Sequence, residues 1–446
     1  MKEQKVLVFG CGISGMGATE LLLQNGKQVI LYDGNTNLDA GKLQEQLGAG
    51  VQVILGALEE EVINSLELAV LSPGVPTDLP IVNRMREKGI PIWGEVELAY
   101  TYGKGDVLAI TGTNGKTTTT ALVGEIMQNF KESVFVVGNI GNPYTTAALQ
   151  MKEDSVSVAE VSSFQLETIH QFRPRVSAIL NITPDHLNRH HTMEAYIKAK
   201  EDIAKNQTKD DTCVLNYEDE ETRRFGETLT CNVLYFSSKR RLERGIYLEN
   251  GNIIYKDEQE LYLCHVDELQ LLGVHNYENV MAASAMALAY GVPADIVRST
   301  IKAFAGVAHR IEYVCEKNGV AYYNDSKGTN PDAAIKGIQA MNRKTVLIGG
   351  GYDKNSEFEE WIESFEGKVT YLVLLGQTRE KIADAAKRVG FTSVIMVDTL
   401  EEAVATCARL AKPGEAVLLS PACASWGMFK NYEERGDKFK ELVKAL

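Results

Sequence analysis

Gly112-Thr113-Asn114-Gly115-Lys116-Thr117-Thr118 follows directly on the apolar run Val107-Leu108-Ala109-Ile110. Small residues here let backbone N–H groups approach phosphate oxygens. Lys116 is placed to reach terminal phosphates, and the Thr117 hydroxyl to sit on Mg²⁺. The common phosphate loop carries a glycine five residues before Gly115, where this chain has Ile110, so the cradle is a shortened variant. A second glycine loop, Gly10-Cys11-Gly12-Ile13-Ser14-Gly15, follows the apolar run Val6-Leu7-Val8-Phe9. Asp33 stands 18 residues after Gly15, near where an acid meets the ribose in dinucleotide folds. That motif reads as a site for a nucleotide diphosphate, or as a tight turn with no ligand. Ser72 and Gly74, in the Ser-Pro-Gly turn after Ala69-Val70-Leu71, are further lining candidates.

Three more apolar runs end in polar groups: Asn139, Glu160 and the pair Asp185-His186. In a parallel sheet such ends lie side by side. A carboxylate beside a phosphate loop is a natural Mg²⁺ ligand or water positioner. Further on, Arg310, Lys327 and Lys354 fall on predicted loops of an otherwise acidic chain, which points to an anionic ligand there.

These residues need a scaffold of strands feeding helices. The 446 residues exceed one ordinary core, so two or three domains are expected. Apolar content of 44% and charged content of 24% fit a globular protein. A net charge of −14 argues against a large nucleic-acid surface. Seven scattered cysteines with no Cys-x-x-Cys argue against a disulfide framework or a zinc site and fit a reducing cytoplasm. No run of 18 apolar residues predicts a membrane span. A monomer is expected, because no heptad or long apolar stripe suggests a partner. Alternating apolar runs and helical stretches predict an α/β chain of three domains: a Rossmann-like N-terminal domain (1–98), a central P-loop ATPase-like domain (99–307) and a C-terminal doubly wound Rossmann-like domain (308–446). Glu249-Asn250-Gly251-Asn252 between two apolar runs predicts a peripheral hairpin. His275 and Asn276 are placed at the start of a helix that continues from Val280 to Tyr290.

Gly-Thr-Asn-Gly-Lys-Thr (112–117), Gly-Asn-Ile-Gly (138–141), Glu-Val-Ser-Ser-Phe-Gln-Leu (160–166), Asp-His-Leu (185–187), His-Asn-Tyr (275–277), His-Arg (309–310) and Asn-Asp-Ser-Lys-Gly-Thr-Asn-Pro (324–331) occur in one order along the whole chain. That set resembles the Mur ligases, the ATP-dependent amino-acid-adding enzymes of peptidoglycan synthesis. The resemblance implies that ATP phosphorylates a carboxylate and that an amine then attacks the acyl phosphate. It implies UDP-N-acetylmuramoyl-L-alanine and D-glutamate as substrates, with ATP and two Mg²⁺ ions. The Leu-Ser-Pro-Gly turn (71–74) and Leu-Ser-Pro-Ala-Cys-Ala-Ser (419–425) carry that choice. The alternatives are another amino-acid-adding Mur ligase or a folylpolyglutamate-type ligase, which lacks this kind of N-terminal region.

Carried over by position, Ile13, Ser14, Asp33, Ser72 and Gly74 are expected on the UDP part, and Asn139 and Gln165 nearer the muramoyl part. Gly112 to Thr118, Asn276, Asn279, Arg310, Asp325 and Lys327 are expected on ATP. Thr117 and Glu160 are implied for one Mg²⁺, and His186 and Lys200 for the second. A neutral lysine is a poor Mg²⁺ ligand, and in the family this lysine is carbamylated. Thr329, Lys354, Ser425 and Tyr432 are implied for D-glutamate, with His186 near the reacting groups. Tyr432 stands where the family commonly has Phe.

Overall fold

The computed structural model describes residues 4–48, 50–140, 142–353 and 356–446. The chain forms two compact units, Met1–Cys264 with Glu278–Ile301, and His265–Tyr277 with Lys302–Leu446.

The first unit holds two sheets. The N-terminal one is parallel, built from β1 (Lys5–Phe9), β2 (Gln28–Asp33), β3 (Val51–Leu55), β4 (Leu68–Leu71) and β5 (Ile92–Gly94) in the order β3-β2-β1-β4-β5. Its strands are apolar on both faces because helices cover both. Val6, Val8, Val29, Leu31 and Val70 face one core, while Leu7, Phe9, Ile30, Tyr32 and Leu71 face the other. The order reverses between β1 and β4, and the strand ends there open a crevice.

The second sheet is β6 (Asp106–Thr111), β7 (Val134–Gly138), β8 (Val156–Glu160), β9 (Val176–Ile179), β10 (Thr212–Asn216), β11 (Asn232–Ser237), β12 (Gly245–Glu249), β13 (Asn252–Lys256) and β14 (Glu260–His265). Their order is β7-β8-β6-β9-β10-β11-β12-β13-β14. Thus β6, which carries the phosphate loop, lies between β8 and β9, parallel to both. The expected hairpin is present as β12–β13, with Glu249 opposite Asn252 and with Asn250 and Gly251 both at positive φ, +50° and +79°. Several strands were not singled out from the sequence, among them β3, β10, β11 and β14.

The helix Glu95–Tyr102 joins the two sheets and carries two buried acids. Glu95 accepts from Thr145 N and Oγ1 at 2.8 and 3.1 Å, and burial raises its pKa. Glu97 accepts from three successive backbone amides, His170 N, Gln171 N and Phe172 N, at 2.8, 2.7 and 3.0 Å. One hydrophobic core runs through this joint, from Leu21 and Leu22 through Val96 and Leu98 to Tyr144 and Phe172.

The second unit is a single sheet of β15 (Glu312–Lys317), β16 (Val320–Asn324), β17 (Thr345–Gly349), β18 (Val369–Leu374), β19 (Val394–Met396) and β20 (Ala416–Leu419), in the order β15-β16-β20-β17-β18-β19. Period-two alternation again divides two cores. Tyr323, Leu347, Leu372 and Leu418 face one, while Tyr322, Val346, Val373 and Val417 face the other. Among the described residues, no helix is long and apolar enough to cross a membrane.

Glu97→Ala would remove the shared acceptor of three successive backbone amides, of which Phe172 N is buried. Urea unfolding is expected to show a loss of about 3 kcal/mol in the transition of the first unit.

Candidate functional site

A cavity of about 740 Å³ opens at the reversal point of the N-terminal sheet. It is lined by the loops after β1, β2 and β4, by Gly138 and Asn139 at the end of β7, and by Gln165 in the short helix after β8. Ile13, Ser14, Asp33, Ser72, Gly74, Asn139 and Gln165, expected from the sequence as substrate residues, all lie on its wall. Close packing dictates the glycines. A Cβ on Gly15 would fall 1.8 Å from Gly10 O, and one on Gly10 would fall 2.7 Å from Ser72 Oγ. A Cβ on Gly12 would meet nothing within 4 Å, so packing does not require that glycine. It caps the helix Ile13–Gln24 without a side chain, leaving backbone facing the cavity. Asp33 holds the loop together, since Oδ2 accepts from Cys11 N at 3.0 Å and Oδ1 from Asn35 N at 2.9 Å.

Asn139 joins this cavity to the next group. Its Nδ2 donates to Glu160 Oε1 at 2.8 Å, and its backbone N donates to Glu160 O at 2.9 Å. Glu160 is 1% exposed, and its Oε2 has no hydrogen-bond partner. A buried carboxylate oxygen without a donor is costly unless something else meets it. A hard carboxylate oxygen suits Mg²⁺, which takes one or two carboxylates and completes its shell with phosphate oxygens and water. Among the described residues no cluster of three His, Cys, Asp or Glu side chains is present.

The phosphate loop itself is bent at Gly112, with φ +155°, and at Gly115, with φ +86°, which caps the helix Lys116–Gln128. A Cβ on Gly115 would fall 2.2 Å from Asn279 Oδ1, so Asn279, expected on ATP, packs directly under the loop. The strand neighbour β9 supplies the other side. Thr113 N donates to Asn181 O at 2.9 Å, Asn114 N to Asn181 Oδ1 at 2.8 Å, and Thr113 Oγ1 lies 2.9 Å from Tyr196 OH. Asn181 and Tyr196 were not predicted as site residues. Their signal was position: Asn181 follows a strand next to the loop strand, and Tyr196 precedes Lys200 by one helical turn.

Lys116 Nζ turns back onto its own loop, donating to Gly112 O at 2.9 Å and Thr113 O at 3.0 Å. Lys200 Nζ donates to the same Gly112 O at 2.8 Å and lies 4.7 Å from the Tyr196 ring. Burial, and then the charge of Lys116, lower the Lys200 pKa to about 7. His186 is exposed, at φ +52°, beside Phe164 and Asp185.

In the second unit the loops after β16 and β20 meet. Asp325 is buried. Its Oδ1 accepts from Ile311 N at 3.2 Å and its Oδ2 from Ser420 Oγ at 2.7 Å, and burial raises its pKa to about 7. It therefore ties the Arg310–Ile311 turn to the loop carrying Lys327 and Thr329. Arg310 is exposed, and Lys327 Nζ lies 5.9 Å from the Tyr432 ring. Ser425 is buried beside the exposed Trp426. Arg435, not predicted, is buried and holds Ser326 O at 2.8 Å and Cys423 O at 3.2 Å, with its pKa lowered to about 10 by burial. Asn276, also in this unit, donates Nδ2 to Leu272 O at 2.8 Å. Lys354 lies outside the described residues.

Three family models match this chain: "Mur ligase MurD-like, N-terminal domain" over residues 4–94, "Mur ligase middle domain" over 110–287 and "Mur ligase, glutamate ligase domain" over 309–423. A protein of Lachnoclostridium phytofermentans named UDP-N-acetylmuramoylalanine--D-glutamate ligase is 60% identical, covering 99% of this chain and 98% of its own length. One of the same name from Lachnospira eligens is 57% identical over the whole of both chains. Among solved structures, the UDP-N-acetylmuramate-alanine ligase of Thermotoga maritima shares the fold at 20% identity and TM-score 0.58, covering 99% of each chain. The MurF ligase of that organism, solved in complex with ADP, does so at 18% identity and TM-score 0.55, covering 100% of this chain and 95% of its own.

The Asp325 carboxyl binds its proton more tightly folded than unfolded, so its contribution to stability is full at low pH and is lost as pH rises from about 4 to about 7. Asp325→Asn keeps an acceptor and a donor for Ile311 N and Ser420 Oγ and does not titrate. Its melting temperature in the second unit, relative to the unsubstituted protein, is expected to improve between about pH 4 and about pH 7 and then to level off.

Proposed function

The chain belongs to the Mur ligase family, and from that premise we propose that it joins D-glutamate to UDP-N-acetylmuramoyl-L-alanine at the expense of ATP, in peptidoglycan precursor synthesis. One observation carries this reading. Asn139 lines the large cavity and also donates to Glu160, so a ligand in the cavity reaches toward the carboxylate beside the phosphate loop. The cavity has the size and polar rim for a nucleotide sugar. Its far end then delivers the substrate carboxylate to the γ-phosphate of ATP.

The residues divide the work. Gly12 backbone, Ile13, Ser14, Asp33, Ser72 and Gly74 hold the UDP portion, with Asn139 and Gln165 nearer the sugar. Gly112 to Thr118 cradle ATP, and Asn276, Asn279, Arg310, Asp325 and Lys327 complete its contacts. Lys116 leaves its own carbonyls for the phosphates and offsets charge as the phosphoryl group passes to the carboxylate oxygen. The D-glutamate amine then attacks the acyl carbon, phosphate leaves and an amide remains. Thr329, Lys354, Ser425 and Tyr432 select the amino acid. Residues 1–98 bind the UDP substrate, 99–307 bind ATP and 308–446 bind the amino acid, and the enzyme works as a cytoplasmic monomer.

Thr117 and Glu160 would hold one Mg²⁺, and His186 and Lys200 a second. When bound, these ions neutralise the phosphate charge. For Lys200 the amine is the wrong donor, but its lowered pKa, about 7, leaves a large share of the amine neutral at neutral pH, suited to take up carbon dioxide as a carbamate. Carbon-13 bicarbonate is expected to yield a protein carbamate resonance that Lys200→Ala lacks.

The decisive assay is phosphate release from ATP and Mg²⁺ with UDP-N-acetylmuramoyl-L-alanine, comparing D-Glu, L-Glu, L-Ala and a diamino acid. Release that depends on D-Glu alone is expected. Dependence on another amino acid would discard the roles of Lys354, Ser425 and Tyr432 while keeping the mechanism. In the same assay Glu160→Gln is expected to slow turnover on the order of a hundredfold.

A further inference from the structure

His186 sits at the start of a short helix, Leu187–His190, whose flanking backbone is strained. His186 has φ +52° and His191 φ +66°, both in the left-handed region that non-glycine residues avoid. Such conformations persist only where surrounding contacts fix them. Arg189 Nη2 donates to Val75 O at 3.1 Å, and Val75 lines the nucleotide-sugar cavity. The Arg189 guanidinium also lies 4.5 Å over the Phe164 ring and 3.6 Å from Glu167 Oε2, which in turn accepts from Thr77 Oγ1 at 3.2 Å.

Phe164 is the common platform. The His190 ring stacks on it at 5.3 Å and 23°, and the His186 ring meets it edge-on at 5.0 Å. His190 is buried, and burial holds its pKa down to about 4, so its ring is neutral and makes two directed bonds. Nδ1–H donates to Glu167 Oε1 at 3.1 Å, leaving Nε2, at 2.9 Å, to accept from Ser163 Oγ–H. His191 Nε2 lies 3.3 Å from Asp78 Oδ2. The strained segment is thus pinned to the 75–78 stretch beyond β4 and to the Ser163–Glu167 stretch beyond β8.

We propose that Arg189, stacked on Phe164, is a positioning residue: it sets His186 by reference to the wall of the nucleotide-sugar cavity, so that filling the cavity aligns His186 for the reaction. This rests on the reading of the reaction given above. A guanidinium suits this role because its plane stacks on the ring while its edge donates to a carbonyl, a geometry that an ammonium reproduces only in part. Small displacements of such a group are costly to rate and nearly silent in binding.

The test pairs kinetics with spectroscopy on the full chain. Arg189→Ala and Phe164→Leu are expected to lower kcat by about tenfold or more while leaving KM for UDP-N-acetylmuramoyl-L-alanine within about threefold. Arg189→Lys and Phe164→Tyr are expected to recover part of the loss. In nitrogen-15 histidine spectra, the His186 signals, identified by their absence in His186→Gln, shift when UDP-N-acetylmuramoyl-L-alanine is added to the unsubstituted protein. They do not shift in Arg189→Ala, although calorimetry shows the ligand bound. Unchanged kcat, a loss confined to KM, or an equal His186 response in both proteins overturns the proposal. If the unsubstituted protein gives no turnover, the reaction assigned above fails, and the His186 response still decides the coupling. Should Arg189→Ala not fold, Phe164→Leu gives the same readouts.

Discussion

Two lysine amines share one carbonyl oxygen. Lys116 and Lys200 both donate to Gly112 O, at 2.9 and 2.8 Å. Two ammonium groups on one neutral acceptor repel strongly where water is scarce. The chain resolves this by burying Lys200 until its proton is weakly held, and by leaving Lys116 on the flexible carbonyls of its own loop. Two lysine side chains thus converge on one loop carbonyl, an arrangement that suits a phosphate ligand. The bend at Gly112, the left-handed Gly115 and the Asn181 and Tyr196 contacts exist to hold that carbonyl where both amines meet it.

An unsatisfied acceptor lies one strand away. Glu160 closes β8 with one oxygen satisfied by Asn139 and the other by nothing. A buried carboxylate oxygen without a hydrogen-bond donor is a poor arrangement for stability alone. It becomes sensible if a divalent cation meets that oxygen, as the proposed reaction requires. Mur ligase chemistry needs that pairing, because a phosphoryl group passes between two anions.

The N-terminal sheet and the buried acids Glu95 and Glu97 serve the same end. They dock the helix Glu95–Tyr102 so that the cavity wall includes Asn139 at the end of β7 and Gln165 in the short helix after β8. In the second unit, Asp325 and Arg435 spend their charge on loop carbonyls, amides and hydroxyls. They support Lys327 and Thr329 from beneath.

The sequence alone determined the strand–glycine–helix units, because the steric need for glycine and the apolar period of a covered strand are local. Gly10, Gly15, Gly112 and Gly115 were legible for that reason, as were Glu160 at a strand end and the Asn250-Gly251 hairpin. The family motifs placed Asn139, Gln165 and Asn279 by order alone, and each lies beside the loop or cavity expected of it. Tertiary structure decided what depends on distant neighbours. Arg435, Asn181 and Arg189 are ordinary polar residues in sequence, and only the fold brings Ser326, the phosphate loop and Val75 against them. The lowered pKa of Lys200 and the orphaned oxygen of Glu160 belong to that class. Burial and charge proximity are sums over elements far apart in the chain, and no local pattern records them.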